Sequence, residues 1–139
     1  MRVDFSLAVI SDRLQALTRA LDADPVLPGR LLIYGGTAPP TGQPPDTAPL
    51  LASFSFSRPS LDNVTNKVLT LLNPTTVLVT TTGEATWARM VNGAGQFVVD
   101  LDVGLPTDNA AVRLTTTSGT LMLYAGGELS VSLARLVEP

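Results

Sequence analysis

Residues 83–103, GEATWARMVNGAGQFVVDLDV, decide the fold class. The stretch reads as a β-hairpin. Two alternating runs flank a loop that opens with Asn92-Gly93 and adds Gly95, and Asn-Gly tolerates the positive φ that tight hairpins need. On the first run Trp87, Arg89 and Val91 share one face, and Thr86, Ala88 and Met90 share the other. On the second, Phe97, Val99, Leu101 and Val103 point one way, and Val98, Asp100 and Asp102 the other. Strict alternation of this kind marks a sheet with one dry face and one wetter face.

The same period continues on both sides of the hairpin. Upstream, Arg30 to Tyr34 is a short β run, and Leu50, Ala52, Phe54 and Phe56 alternate with Leu51, Ser53, Ser55 and Ser57. Lys67 to Leu72 is a further strand, turned by Asn73-Pro74, and Thr75 to Thr82 is a β-branched run suited to an edge or intersubunit strand. Downstream, Ala111 to Thr117, Leu121 to Tyr124 and the run from Leu129 toward Val137 complete the set. About eight or nine short strands separated by Gly, Pro and Asn turns predict an all-β chain, a jelly-roll-like antiparallel β-sandwich, in one domain over residues 1–139. The connections are too short for crossover helices.

One segment breaks the β period. Over residues 6–22, Ile10, Leu14, Leu17 and Leu21 recur at spacings of four, three and four, an apolar stripe on a helical repeat. Ser6 is the expected N-cap and Asp24-Pro25 the expected stop. Such a helix packs on the domain's own sheet or docks on a neighbouring subunit. Residues 35–49, GGTAPPTGQPPDTAP, hold five of the chain's 11 prolines. They read as a mobile surface loop or as a stiff arm that orders against a partner, with paired prolines lowering the entropy lost on ordering.

Composition narrows the chemistry. Cysteine and histidine are absent, so thiol chemistry, disulfides and any Ser-His, Cys-His or histidine-metal site within the chain are ruled out. The net charge is -3, Lys67 is the only lysine, and the arginines are scattered, so no basic footprint for nucleic acid or anionic membrane is visible. No apolar run reaches the ~20 residues of a spanning helix, and the start of the chain does not read as a signal peptide. Charged residues are only 15% against 45% hydrophobic, which points to surface hidden against partners in addition to a core.

Candidate chemical groups have plain structural readings. Asp100 and Asp102 share a strand face, as a Ca²⁺ pair or an acid-base pair would, but no third ligand stands at a recognisable spacing. They read as solvent-face acids that Arg89 or Arg113 could pair across the sheet. Trp87, the single tryptophan, reads as a core or interface anchor before a sugar-stacking platform. Gly35-Gly36 leads into no nucleotide-binding pattern. No metal, cofactor or catalytic residue is expected, and the chain does not read as an enzyme.

Certain residues carry a family resemblance. Ala85-Thr86-Trp87-Ala88-Arg89-Met90, followed by Asn92-Gly93, resembles the "ATWARI…G" hairpin of small tailed-bacteriophage virion proteins. Val99-Asp100-Leu101-Asp102-Val103-Gly104 is similar to the "DCDVG" strand end of that group, and Leu32-Ile33-Tyr34-Gly35-Gly36-Thr37-Ala38-Pro39-Pro40 to its strand-to-loop opening. The Ala125-Gly126-Gly127 turn, the last strand and Pro139 extend the likeness over roughly residues 7–139. The Pro-rich segment at 39–49 is longer than in that group, and the helix is more apolar.

The resemblance implies a capsid cement or decoration protein that bridges major capsid protein subunits on the outer surface of the virion and is assembled in the host cytoplasm. It supplies no catalytic residues, cofactor, nucleic-acid partner or membrane partner. A homo-oligomer, dimer or trimer, is expected with it. A tail or baseplate component and a carbohydrate-binding head-fibre module are the alternatives. Interface candidates are Ile10, Leu14, Leu17 and Leu21 of the helix, Pro39, Pro40, Pro44 and Pro45 of the arm, and Val77 and Val79 of the β-branched run.

Overall fold

The computed structural model describes residues 1–137; Pro139, the last element of the resemblance, lies outside the described residues. One helix, α1 (Leu7–Leu21), precedes eleven strands. These are β1 (Arg30–Tyr34), β2 (Leu50–Ser55), β3 (Leu61–Thr65), β4 (Val68–Leu71), β5 (Val77–Leu78), β6 (Gly83–Glu84), β7 (Trp87–Val91), β8 (Phe97–Gly104), β9 (Val112–Thr116), β10 (Met122–Leu123) and β11 (Glu128–Val137). The chain is all-β and sandwich-like, with a single N-terminal helix, as the sequence indicates.

Nine strands form one curled sheet in the order β2-β1-β7-β8-β9-β11-β4-β3, with β5 added on β11; β10 and β6 make a second, small sheet. Every ladder is antiparallel except β8 with β9, which pairs only Val103 with Val112 and Gly104 with Arg113. The connection at 105–111 is too short to return the chain to the start of β8, so β9 meets only its far end. The ten-residue β11 ties the sheet together. Leu129 to Ala134 pair with β9, Glu128 and Leu129 with β5, and Arg135 to Val137 with β4.

The β-branched run at 75–82, expected as an edge or intersubunit strand, forms only a two-residue edge strand on β11. Only Val77–Leu78 pair as a strand. Beyond them the Val79 N–H donates to Gly127 O at 2.9 Å and the Thr80 N–H to Leu51 O at 2.8 Å. The segment therefore crosses from β11 to β2 and helps close the curl, with Val79 buried and Val77 half-buried against the core.

The helix has the expected cap. Ser6 is extended and its Oγ accepts the Val9 N–H at 3.3 Å. The helix ends at Leu21, three residues before the Asp24-Pro25 stop, with Asp22 as its C-cap. Ile10, Leu14, Thr18 and Leu21 are buried, and Leu17 packs against the same cluster. This stripe covers β3, β4 and β8 of its own chain. The domestic reading of the helix is the one the structure shows, and Ile10, Leu14 and Leu21 leave no surface for a partner.

Four ladders carry register shifts; the one in β11 follows Val131, so Ala134 and not Leu133 is fully buried, and two others reshape the sheet around the hairpin. In β2 the register slips between Ile33 and Tyr34, so Leu51 turns inward and Leu50 outward, the reverse of the simple alternation. In β8 it slips at Met90/Val91, so Val91 pairs with Phe97 while Arg89 pairs with Asp100 and Trp87 with Asp102. Phe97 thus joins the face of Arg89 and Asp100, not that of Val99 and Leu101. The loop between β7 and β8 also departs from a tight Asn-Gly turn. Gly95 has the positive φ (83°), and Asn92 Oδ1 accepts the N–H groups of Ala94 and Gln96. Gly93 serves a close approach, since a Cβ there would stand 2.2 Å from the Leu27 carbonyl oxygen.

Candidate functional site

The bulge in β8 assembles a polar cluster on the outer face of the hairpin. Arg89 Nε and Nη2 donate to Asp100 Oδ1 and Oδ2 at 2.7 and 3.1 Å, a two-point pair with side chains only 8% and 18% exposed. The guanidinium carbon lies 5.3 Å from the Trp87 ring centroid and 5.2 Å from that of Phe97, so one cation sits between two aromatic faces. The hydrogen bond to Asp100 raises the Arg89 pKa above its ordinary value against the opposing effect of burial. The group stays charged because its partner is fixed beside it.

Residues 36–49 roof this cluster. The Gly42 N–H donates to Asp100 Oδ2 at 3.2 Å, and Gly42, at φ 76°, lies against the Phe97 ring. Trp87 Nε1 donates to Gly35 O at 3.2 Å, and Thr86 Oγ1 to Gly36 O at 2.6 Å. The Trp87 ring stacks on Tyr34 at 4.4 Å and 12°. The loop is turned internally by Gln43 N–H to Pro40 O and Ala48 N–H to Pro45 O, and closed by Gly35 N–H to Pro49 O. Every residue of β7 is buried as a result, where alternation suggested one wet face. The arm is ordered against its own sheet; Pro39 and Pro45 are half-buried, Pro40 and Pro44 exposed.

The carboxylates of this site are engaged in bonds that hold the fold. Asp100 accepts from Arg89 and Gly42, and Asp102 Oδ1 accepts the Ala111 N–H at 2.9 Å to pin the 105–111 loop. The two carboxylates share a face but serve different partners. Arg113 turns away from both, donating to Ala110 O at 3.3 Å and Asn109 Oδ1 at 3.4 Å. Trp87, only 4% exposed, presents no platform for a sugar. Among the described residues no group of three or more acids gathers as a metal site, and no helix is long and apolar enough to cross a membrane.

The exposed apolar surface is elsewhere. Met1, Val3, Phe5, Leu7 and Val9 are all exposed, Val3 and Phe5 by 56% and 51%. Val26 and Leu27 are exposed beyond the other end of the helix, in a turn where Asp24 Oδ1 accepts both their N–H groups at 2.9 and 2.7 Å. Those two bonds hold the Asp24 carboxyl below its ordinary 3.8. In residues 1–5 apolar residues stand at every second position with Arg2 and Asp4 between them, the same period-two signal as in the strands. Of the interface candidates, Leu17, Val77 and the four prolines keep some surface, whereas Ile10, Leu14, Leu21 and Val79 are core. No family model, curated protein or solved structure matches this chain.

Proposed function

We propose that this chain is a non-catalytic structural protein of a tailed-phage virion, a capsid cement or decoration protein that binds the outer capsid surface and bridges major capsid protein subunits. The observation that carries the reading is the run of exposed apolar residues at 1, 3, 5, 7 and 9, the longest such run in sequence, with Val26 and Leu27 exposed beyond the other end of the helix. A protein pays a solubility penalty for such a run unless a partner covers it. The resemblance of the 85–93 hairpin and the 99–104 strand end to phage virion proteins supplies the kind of partner. Self-association as a dimer or trimer belongs to the same reading.

A cement protein acts by linkage. It binds the assembled lattice and not the free subunits, so occupancy shifts the equilibrium against disassembly, and repetition over the shell multiplies modest contacts. The test is copy number in the particle that carries the chain, by quantitative mass spectrometry against the major capsid protein. A copy number comparable to the major capsid protein supports the reading. A handful per particle assigns the chain to the tail or baseplate instead.

A further inference from the structure

We infer that residues 1–5 pair with the same residues of a second copy, as a short antiparallel two-stranded ribbon across a two-fold axis. Residues 1–5 have no regular structure, Ser6 is extended with ψ 155°, and the helix starts at Leu7. Among the described residues, no backbone N–H or C=O of residues 1–5 has a main-chain partner. Met1, Val3 and Phe5 alternate with Arg2 and Asp4. Arg2 Nε donates to Asp4 at 2.6 Å, which places both charges on one side of the segment. Arg13 lies 4.8 Å over the Phe5 ring and tethers the segment to the helix.

The occupant is chosen by charge. In an antiparallel ribbon, directly opposite residues share a face. Setting Val3 opposite its own copy places Met1 opposite Phe5, and Arg2 opposite Asp4, twice per dimer. Sliding by two residues in either direction sets Arg2 against Arg2 or Asp4 against Asp4. A shift of one residue mixes apolar with charged positions, and parallel pairing stacks like on like. A slide by four leaves no more than three of the non-helical residues 1–6 in register. The segment is therefore complementary to itself in one register.

This rests on the self-association in the proposed function and names the element that carries it. The contact is smaller than the about 800 Å² per partner of a standard interface, so the dimer is weak and concentration-dependent. The experiment is sedimentation equilibrium of the full chain up to about 1 mM, with Arg2→Asp and Asp4→Arg variants alone and mixed. Arg2 and Asp4 side chains are 88% and 71% exposed, so both variants are expected to fold, which circular dichroism of each checks.

The wild type is expected to dimerise, and each reversal alone to weaken the dimer by about tenfold, because like charges then stand opposite at both pairs. The equimolar mixture of the two variants is expected to dimerise like the wild type, since it restores an opposite pair at both positions. An oligomeric wild type with both reversals indifferent, or a mixture no tighter than its components, overturns the inference and leaves self-association by another surface. A wild type monomeric throughout overturns both, while copy number in the particle still decides the capsid reading.

Discussion

Residues 36–49 and residues 1–5 both lack regular structure and lie largely at the surface, yet they are opposite in kind. The proline-rich loop meets its own sheet with its backbone: Gly35 O, Gly36 O and the Gly42 N–H are taken by Trp87, Thr86 and Asp100. The N-terminal segment has its backbone unpaired with main chain and its apolar side chains in water. Exposure alone does not identify a contact surface. What distinguishes the two is whether polar groups are satisfied and apolar ones covered. By that measure the loop belongs to the fold, and the N-terminal segment is the surface proposed to meet a second copy.

The strongest blow to this comparison is Asp100→Ala. It strands the Arg89 cation between two aromatic rings and releases Gly42, and it is expected to cost about 3–5 kcal/mol, read by chemical denaturation, with new protease cleavage inside 36–49. A loop that stays resistant in this variant does not depend on Asp100. Trp87→Phe keeps a ring against Tyr34 but loses the bond to Gly35 O, and about 1–2 kcal/mol of stability is expected to go with it. Val3→Ser touches the other region, and it is expected to shift monomer stability by less than about 0.5 kcal/mol while weakening self-association in sedimentation.

The smallest effect is a pH control in the turn between these regions. Asp24 has a folded pKa below its unfolded 3.8, so its contribution is present above 3.8 and is lost as pH falls through the folded value. The Asp24→Asn variant is expected to show a shallower fall in stability in that acid range than the wild type, measured by thermal melts at stepped pH. An identical slope in both proteins removes Asp24 from the account.

Strands and helix were legible where one period ran uninterrupted. The apolar stripe of α1, its Ser6 cap and the bounds of β1 follow from local rules alone. β3 was missed because Leu61, Asp62, Asn63, Val64 and Thr65 carry too little apolar alternation, and because its hairpin turns through Asn66-Lys67, both at positive φ, without a glycine to announce it. The cluster at Arg89 was legible only in part. The pairing of Arg89 with Asp100 follows from cross-strand reasoning, but Phe97 arrives on that face through a bulge. The Gly42 N–H reaches Asp100 across 58 positions of sequence. Non-local closures of this kind leave no mark in a local pattern, which is also why the crossing of the 75–82 run to β2 through Thr80 could not be read from it.

Hydrogen–deuterium exchange of the full chain over a concentration series tests the division most directly. The account expects the Gly42 amide to exchange slowly at every concentration, and amides 2–5 to exchange freely when dilute and to gain protection as concentration rises. Fast exchange at Gly42 together with unchanging amides at 2–5 would contradict it.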